Sequence, residues 1–562
     1  MSGTERDDGT GVDTGRLRTG LHPEAHRIVY DQYLPAAEDG TAADTLGEEL
    51  TLISEVDRAH LVMLAERGIV PAGRAAALLR AVDALRGEDF APVRERPMPR
   101  GVYLAYESWL VGTLGEEVGG VLHTGRSRND LNATTARLRA RRHAAHLLDA
   151  TRRLCEVLLD RADAHRAVTM PAYTHGQPAV PVTYGHYLTG LATAVLRALE
   201  DLLGAAREID VNPLGAGAVG GTSVPVDPDR TAELLGFSRA SRNSLDSVAS
   251  RDFGLRLLAA AGVLGVVAAR AARDLSTWTS EESGLLRLAD DLVGSSSMMP
   301  QKRNPFLLEH IQGRATAGLG GFTAAAAAMA TAPYTNAIAV TGDALRHVWP
   351  GLRGTTDAVT LLRLVVAGAE PDAERMLRRA ADGFTSATYL AERLVAAGVP
   401  FRAAHHLVGR TVVAALESGA TLTEAAAAEP AVAAAAPADG DREWLHPTAV
   451  AAACAYGGGP GGEATRLAVR ELREQLADRT AELTRRTARW AEGAALLDAA
   501  AAKVAATGDG RGPANATTPA SASTPATAST PATAPAHAAP ALTTAPVPAT
   551  ASAPGTTPPP ST

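Results

Sequence analysis

Four polar loops in this 562-residue chain combine side chains able to do chemistry. The first, His123-Thr-Gly-Arg-Ser-Arg-Asn-Asp130, packs two guanidiniums, two hydroxyls and an amide into one short turn. Arg126 and Arg128 offer forked donors suited to carboxylates, and Ser127 and Asn129 add hydrogen bonds that fix orientation. A helix start favours acid over base, so two cations there point to anion binding rather than a plain cap. The second, Tyr173-Thr-His-Gly-Gln177, lies between Pro171 and Pro178 ahead of a helix. Its histidine, His175, reads either as a proton carrier, the common task of an imidazole, or as an ordinary satisfied polar residue. The third, Gly294-Ser-Ser-Ser-Met-Met-Pro-Gln-Lys-Arg-Asn-Pro305, is hydroxyl-rich and pliable, with Lys302 and Asn304 behind it. That composition suits a lid closing over an anionic substrate. Of the 54 cationic residues only Lys302 and Lys503 are lysines, so the ammonium in this loop departs from an arginine habit. The fourth loop, Leu214-Gly-Ala-Gly-Ala-Val-Gly-Gly-Thr222, serves close ligand approach and tight packing equally well, and takes no catalytic part.

The elements that must hold these loops read as helices. Apolar residues recur at three- and four-residue spacing over Leu61–Leu85 and Arg137–Leu159, with arginines between them. Alanine-rich helices are predicted at Leu188–Ala206, Arg251–Ala272, Glu309–Ala330 and Arg375–Val395, separated by Gly/Pro clusters. Long helices joined by motif-bearing loops predict a bundle with its chemistry at the helix ends. Gly419–Asp441 reads as a tolerant loop. From Gly508 the composition shifts to Ala, Pro, Thr and Ser, with STPATA twice in succession, which predicts a disordered tail.

Composition narrows the function classes. Lys+Arg 54 against Asp+Glu 62 gives a net charge of −8, which argues against a nucleic-acid binder with a broad basic face. Cys155 and Cys454 are the only cysteines, excluding a disulfide framework or a cysteine-built metal site. His405 and His406 are neighbours that point about 100° apart on a helix, a poor metal pair. The apolar run Leu257–Ala269 is too short to span a bilayer and suits a buried helix. The polar N-terminus lacks an apolar signal region, so a soluble, cytoplasmic protein without membrane or nucleic-acid partners is expected.

Taken together, HTGRSRND, the GSSxMPxKxNP-like loop, PLGAGAVGGT, Asn243-Ser-Leu-Asp-Ser-Val-Ala-Ser-Arg-Asp-Phe253 and Gly398-Val-Pro-Phe-Arg402 with His405–His406 resemble argininosuccinate lyase, of the fumarase/aspartase superfamily. The similarity runs in order from about Gly15 to about Ala500. It implies an all-α fold of three domains, here 1–120, 121–365 and 366–507 before the tail 508–562. It further implies a homotetramer with a twenty-helix core, in which each active site is shared between subunits. The implied reaction is carbon–nitrogen cleavage of a small dicarboxylate, releasing fumarate in amino-acid metabolism, with no metal or organic cofactor.

The resemblance also assigns roles. The base is the first serine of the GSS motif, which is Ser296 when counted from Met299-Pro300 and Ser295 when counted from Gly294. The Met-Pro anchor keeps Lys302 and Asn304 in register and places Ser295 at the family glycine, at some expense of loop freedom. His175 matches a proton relay or orienting group, and Glu309 its carboxylate partner. Thr174, Ser127, Asn129, Lys302 and Asn304 match the positions that hold the fumarate half; Arg128 and Tyr334 surround the rest. Departures cluster on the amine side. Leu131 and Thr135 replace Gln and Asp, Ala339 and Gly342 replace Gln and Lys, Arg27 replaces a serine, and Phe306 replaces an aspartate. The expectation is a lyase acting on argininosuccinate or a related N-substituted aspartate, whose leaving group need not be arginine. The rivals are a superfamily lyase for another amino- or nitro-succinate, a cycloisomerase-type member, and a catalytically silent structural homologue.

Overall fold

The computed structural model describes residues 20–30, 45–433, 436–437 and 443–507. By contacts the chain forms two units, Met1–Gly510 and Arg511–Thr562. The second unit, which holds most of the STPATA-bearing tail, lies outside the described residues, as does most of the sequence before Thr45.

Five long helical stretches build the centre: Arg128–Ala164, Tyr184–Ala205, Asp252–Thr279, Phe306–Ala330 with a break at Thr316, and Leu345–Ala367. Three of them run one way. Arg137 lies over the Phe253 ring at 5.2 Å, and a Cβ on Gly254 would meet Val348 at 3.0 Å, so their starts are adjacent. The other two return: Tyr184 begins beside His165, with ring centroids 5.7 Å apart. Small residues set the spacing. A Cβ on Gly265 would sit 2.0 Å from the Ala315 carbonyl oxygen, so only glycine permits that crossing. The shared core includes Leu158, Leu188, Leu257, Leu258, Ile311 and Leu362, all at most 1% exposed.

The predicted all-α class holds, with corrections in detail. Leu61–Leu85 is not one helix. Thr45–Glu66 ends near Gly68, at φ +66°, and Ala72–Gly87 restarts after Pro71. Arg375–Val395 is likewise two helices, Ala373–Asp382 and Ala387–Ala396. The apolar run Leu257–Ala269 lies inside a 28-residue helix that is long enough to cross a membrane; 56% of its most apolar window is buried in the protein, as in a soluble core helix. Gly419–Asp441 is structured where described: Thr421 and Glu424 form a capping box that starts Leu422–Ala428. His405 and His406 sit on Phe401–Ser418, their rings edge-on at 5.9 Å.

Among the described residues, three two-stranded sheets interrupt the helices. Thr169–Thr174 pairs antiparallel with Gln177–Thr183, and Leu286–Leu288 pairs antiparallel with Ala369–Pro371. The 46-residue helix Gly462–Thr507 then runs along the bundle, tied by Arg473 to Asp160, Arg489 to Asp210 and Asp498 to Arg58.

Candidate active site

At the start of Arg128–Ala164 the polar loop is a helix cap after all. The Ser127 hydroxyl accepts from the Asn129 N–H at 3.2 Å, and Asp130 accepts from the Ser127 N–H at 2.9 Å, completing a capping box. Asp130 supplies the acid that the two arginines had obscured. Its second oxygen accepts the N–H groups of Gly215 at 3.1 Å and Gly217 at 3.0 Å, pinning the glycine loop to the helix. Burial pushes the Asp130 carboxyl up, and these N–H bonds and Arg126 pull against it. Gly217 is at φ +60°, and a Cβ there would lie 2.4 Å from the Gly221 oxygen. Asn129 in turn donates to the Ala218 carbonyl at 3.1 Å and accepts from Asn336 at 3.0 Å. Tyr334 donates to Asp246, which pushes the phenol up to about 12. Four segments distant in sequence therefore meet around Ser127, Asn129 and Tyr334, with Arg128 exposed beside them.

Arg126 does not join them. Its side chain is fully buried, 2.6 Å from Asp57 and 3.1 Å from the Tyr103 hydroxyl. Burial opposes its charge, but the Asp57 carboxylate outweighs this and holds the guanidinium protonated. Of two arginines two residues apart, one is a structural ion and the other faces solvent.

The remaining candidates stand elsewhere. Thr174 and His175 lie at the tip of the Thr169–Thr183 hairpin, where His175 at φ 53° and Gly176 at φ 76° make a two-residue turn. The segment expected to be merely kinked is thus a hairpin, and the positive φ pair projects His175 outward. The serine loop is closed at its base by Gly294 and Asn304, which exchange two backbone hydrogen bonds of 2.8 Å. Within it the Ser296 oxygen accepts from the N–H groups of Met299 at 3.1 Å and Met298 at 3.4 Å. Asn304 reaches the Ser295 carbonyl at 3.4 Å, and the Lys302 ammonium lies on the exposed side. Arg303 anchors the loop through Asp290 and the Leu288 carbonyl. Phe306 packs beneath Gly294, whose Cβ would meet its ring at 3.0 Å, and Glu309 is exposed on the following turn.

Both of these loops belong to the far end of the bundle. The hairpin begins just after Ala164, and Arg161 binds Ala369 and Glu370 of the small sheet from which the serine loop departs. The helix between Ser127 and that end has 37 residues, about 55 Å at 1.5 Å per residue. Within one chain, then, Ser127, Arg128, Asn129 and Tyr334 form one set, and a second set at the far end is divided between the hairpin tip, with Thr174 and His175, and the serine loop and the helix after it, with Ser296, Lys302, Asn304 and Glu309. No hydrogen bond or ion pair joins the two sets among the described residues.

The amine-side positions also separate. Thr135 and Gly342 line a cavity of about 410 Å³ with Asn132, Arg139, Arg346 and Trp349, one to three helical turns beyond Asn129. Gly342 lies on a π-helical turn, Ala339–Ala344, a wider coil that sequence spacing did not reveal. Leu131 instead is fully buried in the core of the N-terminal helices, and Arg27 is exposed on Pro23–Tyr30. Asp130, Asp246 and Asn336 are the polar partners that sequence reasoning passed over; Asn336, two residues after Tyr334, was the readable one.

Comparison with known proteins follows the same lines. A family described as Lyase matches residues 64–320, and one described as Argininosuccinate lyase C-terminal matches 384–451. The argininosuccinate lyase of Methanoculleus marisnigri is 38% identical over 379 residues, covering 67% of this chain and 76% of the relative. That of Synechococcus sp. is 35% identical over 430 residues, covering 75% and 88%. Among solved structures, an EDDS lyase variant with bound fumarate superposes with a TM-score of 0.79 at 27% identity, covering 89% of this chain and 99% of that one. With this fold, these motifs in order and these relatives, the chain belongs to the argininosuccinate lyase family of carbon–nitrogen lyases, within the fumarase/aspartase superfamily.

Proposed function

We propose that this protein releases fumarate from an N-substituted aspartate, with Ser296 as the base and an amine pocket that has departed from arginine. Ser296, as its alkoxide, takes the proton from the carbon beside the carboxylate, and that C–H electron pair moves into the carboxylate as an aci-carboxylate dianion. Collapse of the dianion forms the C=C bond and expels the amine with the C–N electron pair; the amine then takes up a proton. The observation that carries this reading is the pair of N–H groups aimed at the Ser296 oxygen, since donors to an oxygen favour its anion. Lys302 adds positive charge on the same loop, and His175 with Glu309 relays the proton. Thr174, Ser127, Asn129 and Asn304 hold the four-carbon acid, with Arg128 and Tyr334 around it.

Such a site needs both ends of the bundle, about 55 Å apart in one chain, so it requires neighbouring copies. We therefore infer a homotetramer packed through the central helices. Exposed Val263 and Val266 on Asp252–Thr279 and Leu319 on Ala317–Ala330 support this. We also infer three helical domains divided near residues 120 and 365, and the separate hydrophobic cluster around Leu394 supports the last of them. The altered specificity rests on Thr135 and Gly342, which put a short hydroxyl and no side chain into the cavity beyond Asn129. The one acid on its wall, Glu49, is already engaged by Arg139 at 2.8 Å, and Arg139 and Arg346 put two cations there, which disfavours a guanidinium leaving group.

The test is fumarate absorbance on purified protein with argininosuccinate and a panel of N-substituted aspartates. We expect a panel member to be turned over faster than argininosuccinate; turnover of argininosuccinate at an ordinary enzymatic rate refutes the altered pocket. Ser296→Ala should lower turnover by about 10²–10⁴-fold with assembly preserved, whereas Ser295→Ala should not. Mass spectrometry of the products separates amine release from a cycloisomerase reaction.

A further inference from the structure

A second cavity, of about 460 Å³, opens where Thr45–Glu66, Arg128–Ala164 and Gly462–Thr507 meet. Its volume falls within the range of small-molecule sites. Leu138, Leu235, Leu497 and Trp490 give it an apolar wall, and Arg141 supplies a cation, about 20 Å along the helix from Ser127.

Arg141 is the unusual feature. The residue is 5% exposed, and its guanidinium lies flat over the Phe237 ring at 3.8 Å and 5.4 Å from the Trp490 ring. Its Nη1 donates to the Leu235 carbonyl at 2.7 Å, but Nη2 is buried with no hydrogen-bond partner among the described residues. The nearest acid, Asp210, stands 3.5 Å from Nε and is already taken. It accepts from Arg489 at 2.6 Å and from the Trp490 indole at 2.8 Å, and it faces Arg486 at 3.6 Å. One buried carboxylate thus serves three guanidiniums. Burial also drags Arg141 down to about 9, the sign of a cation short of compensation. The two acids on the wall are both engaged, Glu55 by Arg142 at 3.1 Å and Asp498 by Arg58 at 2.7 Å, and Arg58 also binds Asp83.

We propose that this cavity binds a small organic monoanion, a carboxylate carrying an aromatic or branched aliphatic body, with its head on Arg141 and its body against Trp490 and the leucines. A guanidinium edge with free N–H groups matches the fork of a carboxylate. Arg58, Arg86, Arg141 and Arg142 line the cavity against Glu55 and Asp498, so its field favours an anion. Binding to the folded chain raises its thermal stability in proportion to occupancy.

The test uses the full-length protein with sodium phenylacetate as the probe, read by tryptophan fluorescence, calorimetry and thermal shift. We expect saturable binding, with the emission change lost in Trp490→Phe. Phenylacetamide and acetate should each bind at least tenfold more weakly, one lacking the charge and the other the body. Arg141→Met should weaken phenylacetate at least tenfold. If that variant does not fold, Ala494→Trp, at the exposed mouth of the cavity, should block binding with unchanged circular dichroism. Equal binding of acid and amide, undiminished binding in the folded Arg141→Met or Ala494→Trp variant, or no saturation by about 10 mM would each overturn the proposal.

Discussion

Replacing Arg126 asks whether the first guanidinium of the HTGRSRND motif is part of the fold or part of substrate binding. Its pair with Asp57 is 2.6 Å long, and neither side chain has any exposure. Arg126→Met leaves the Asp57 carboxylate buried and alone, a loss of about 3–5 kcal/mol. With a urea m value of about 3 kcal/mol/M, the midpoint should fall by roughly 1–1.7 M. The double variant Asp57→Leu/Arg126→Met removes both charges and keeps the volume. The native pair is itself incompletely satisfied, with Asp57 Oδ2 and Arg126 Nε lacking hydrogen bonds. The double variant should therefore recover to within about 1 kcal/mol of the parent, some 2–4 kcal/mol more stable than Arg126→Met alone. Both measurements are made at one protein concentration, since assembly shifts apparent stability. Because Arg126 points away from Asn129 and Tyr334, the double variant should keep kcat/KM for fumarate release within about threefold of the parent. A folded, stable double variant with kcat/KM down by about a hundredfold or more, nearly 3 kcal/mol, would put Arg126 on the substrate and refute the reasoning.

Three further outcomes follow from the geometry. Gly217→Ala forces a methyl group against the Gly221 oxygen at positive φ, and should cost about 2–4 kcal/mol in stability while lowering kcat/KM through Asn129; a neutral effect on both would show the loop to be slack. Burial first, then Arg126 and Arg128, hold His123 down at about 4. Between about 6.5 and 4 the unfolded chain therefore takes up the proton that the folded chain refuses, and stability should fall as pH drops through that window and level off below it. Urea midpoints against pH test this, and the slope should shrink in His123→Gln. Tyr334→Phe removes the hydrogen bond to Asp246 and should raise KM more than it lowers kcat in steady-state fumarate assays; an equal loss in kcat and kcat/KM would place the phenol in the transition state.

Much of the architecture was legible because apolar residues repeat at helical spacing over long stretches, as in Arg137–Leu159 within the Arg128–Ala164 helix. Breaks without proline or strong glycine signals, at Thr316 and around Gly383–Ser386, were not, since alanine-rich sequence tolerates helix on both sides. The hairpin carrying His175 escaped because Pro171 and Pro178 argue against strands, and a bulge between Pro171 and Tyr173 accommodates them. The site motifs were visible as residue types, but their directions were not. Arg126 and Arg128 have identical chemistry, and only burial beside Asp57 separates them. Leu131 reads as an amine-side position in a linear motif, yet the helix turns it into the core.

The length of the Arg128–Ala164 helix has one more consequence. Under the proposed mechanism, a rod of that span keeps each molecule's hydroxyl loop out of reach of its own capping loop, so a correctly folded solitary copy would be inert. Dilution alone would then switch the enzyme off without unfolding it. Two differently crippled versions, one damaged at Ser296 and the other at Ser127, would regain partial activity when co-expressed, because some mixed assemblies would combine an intact loop from each.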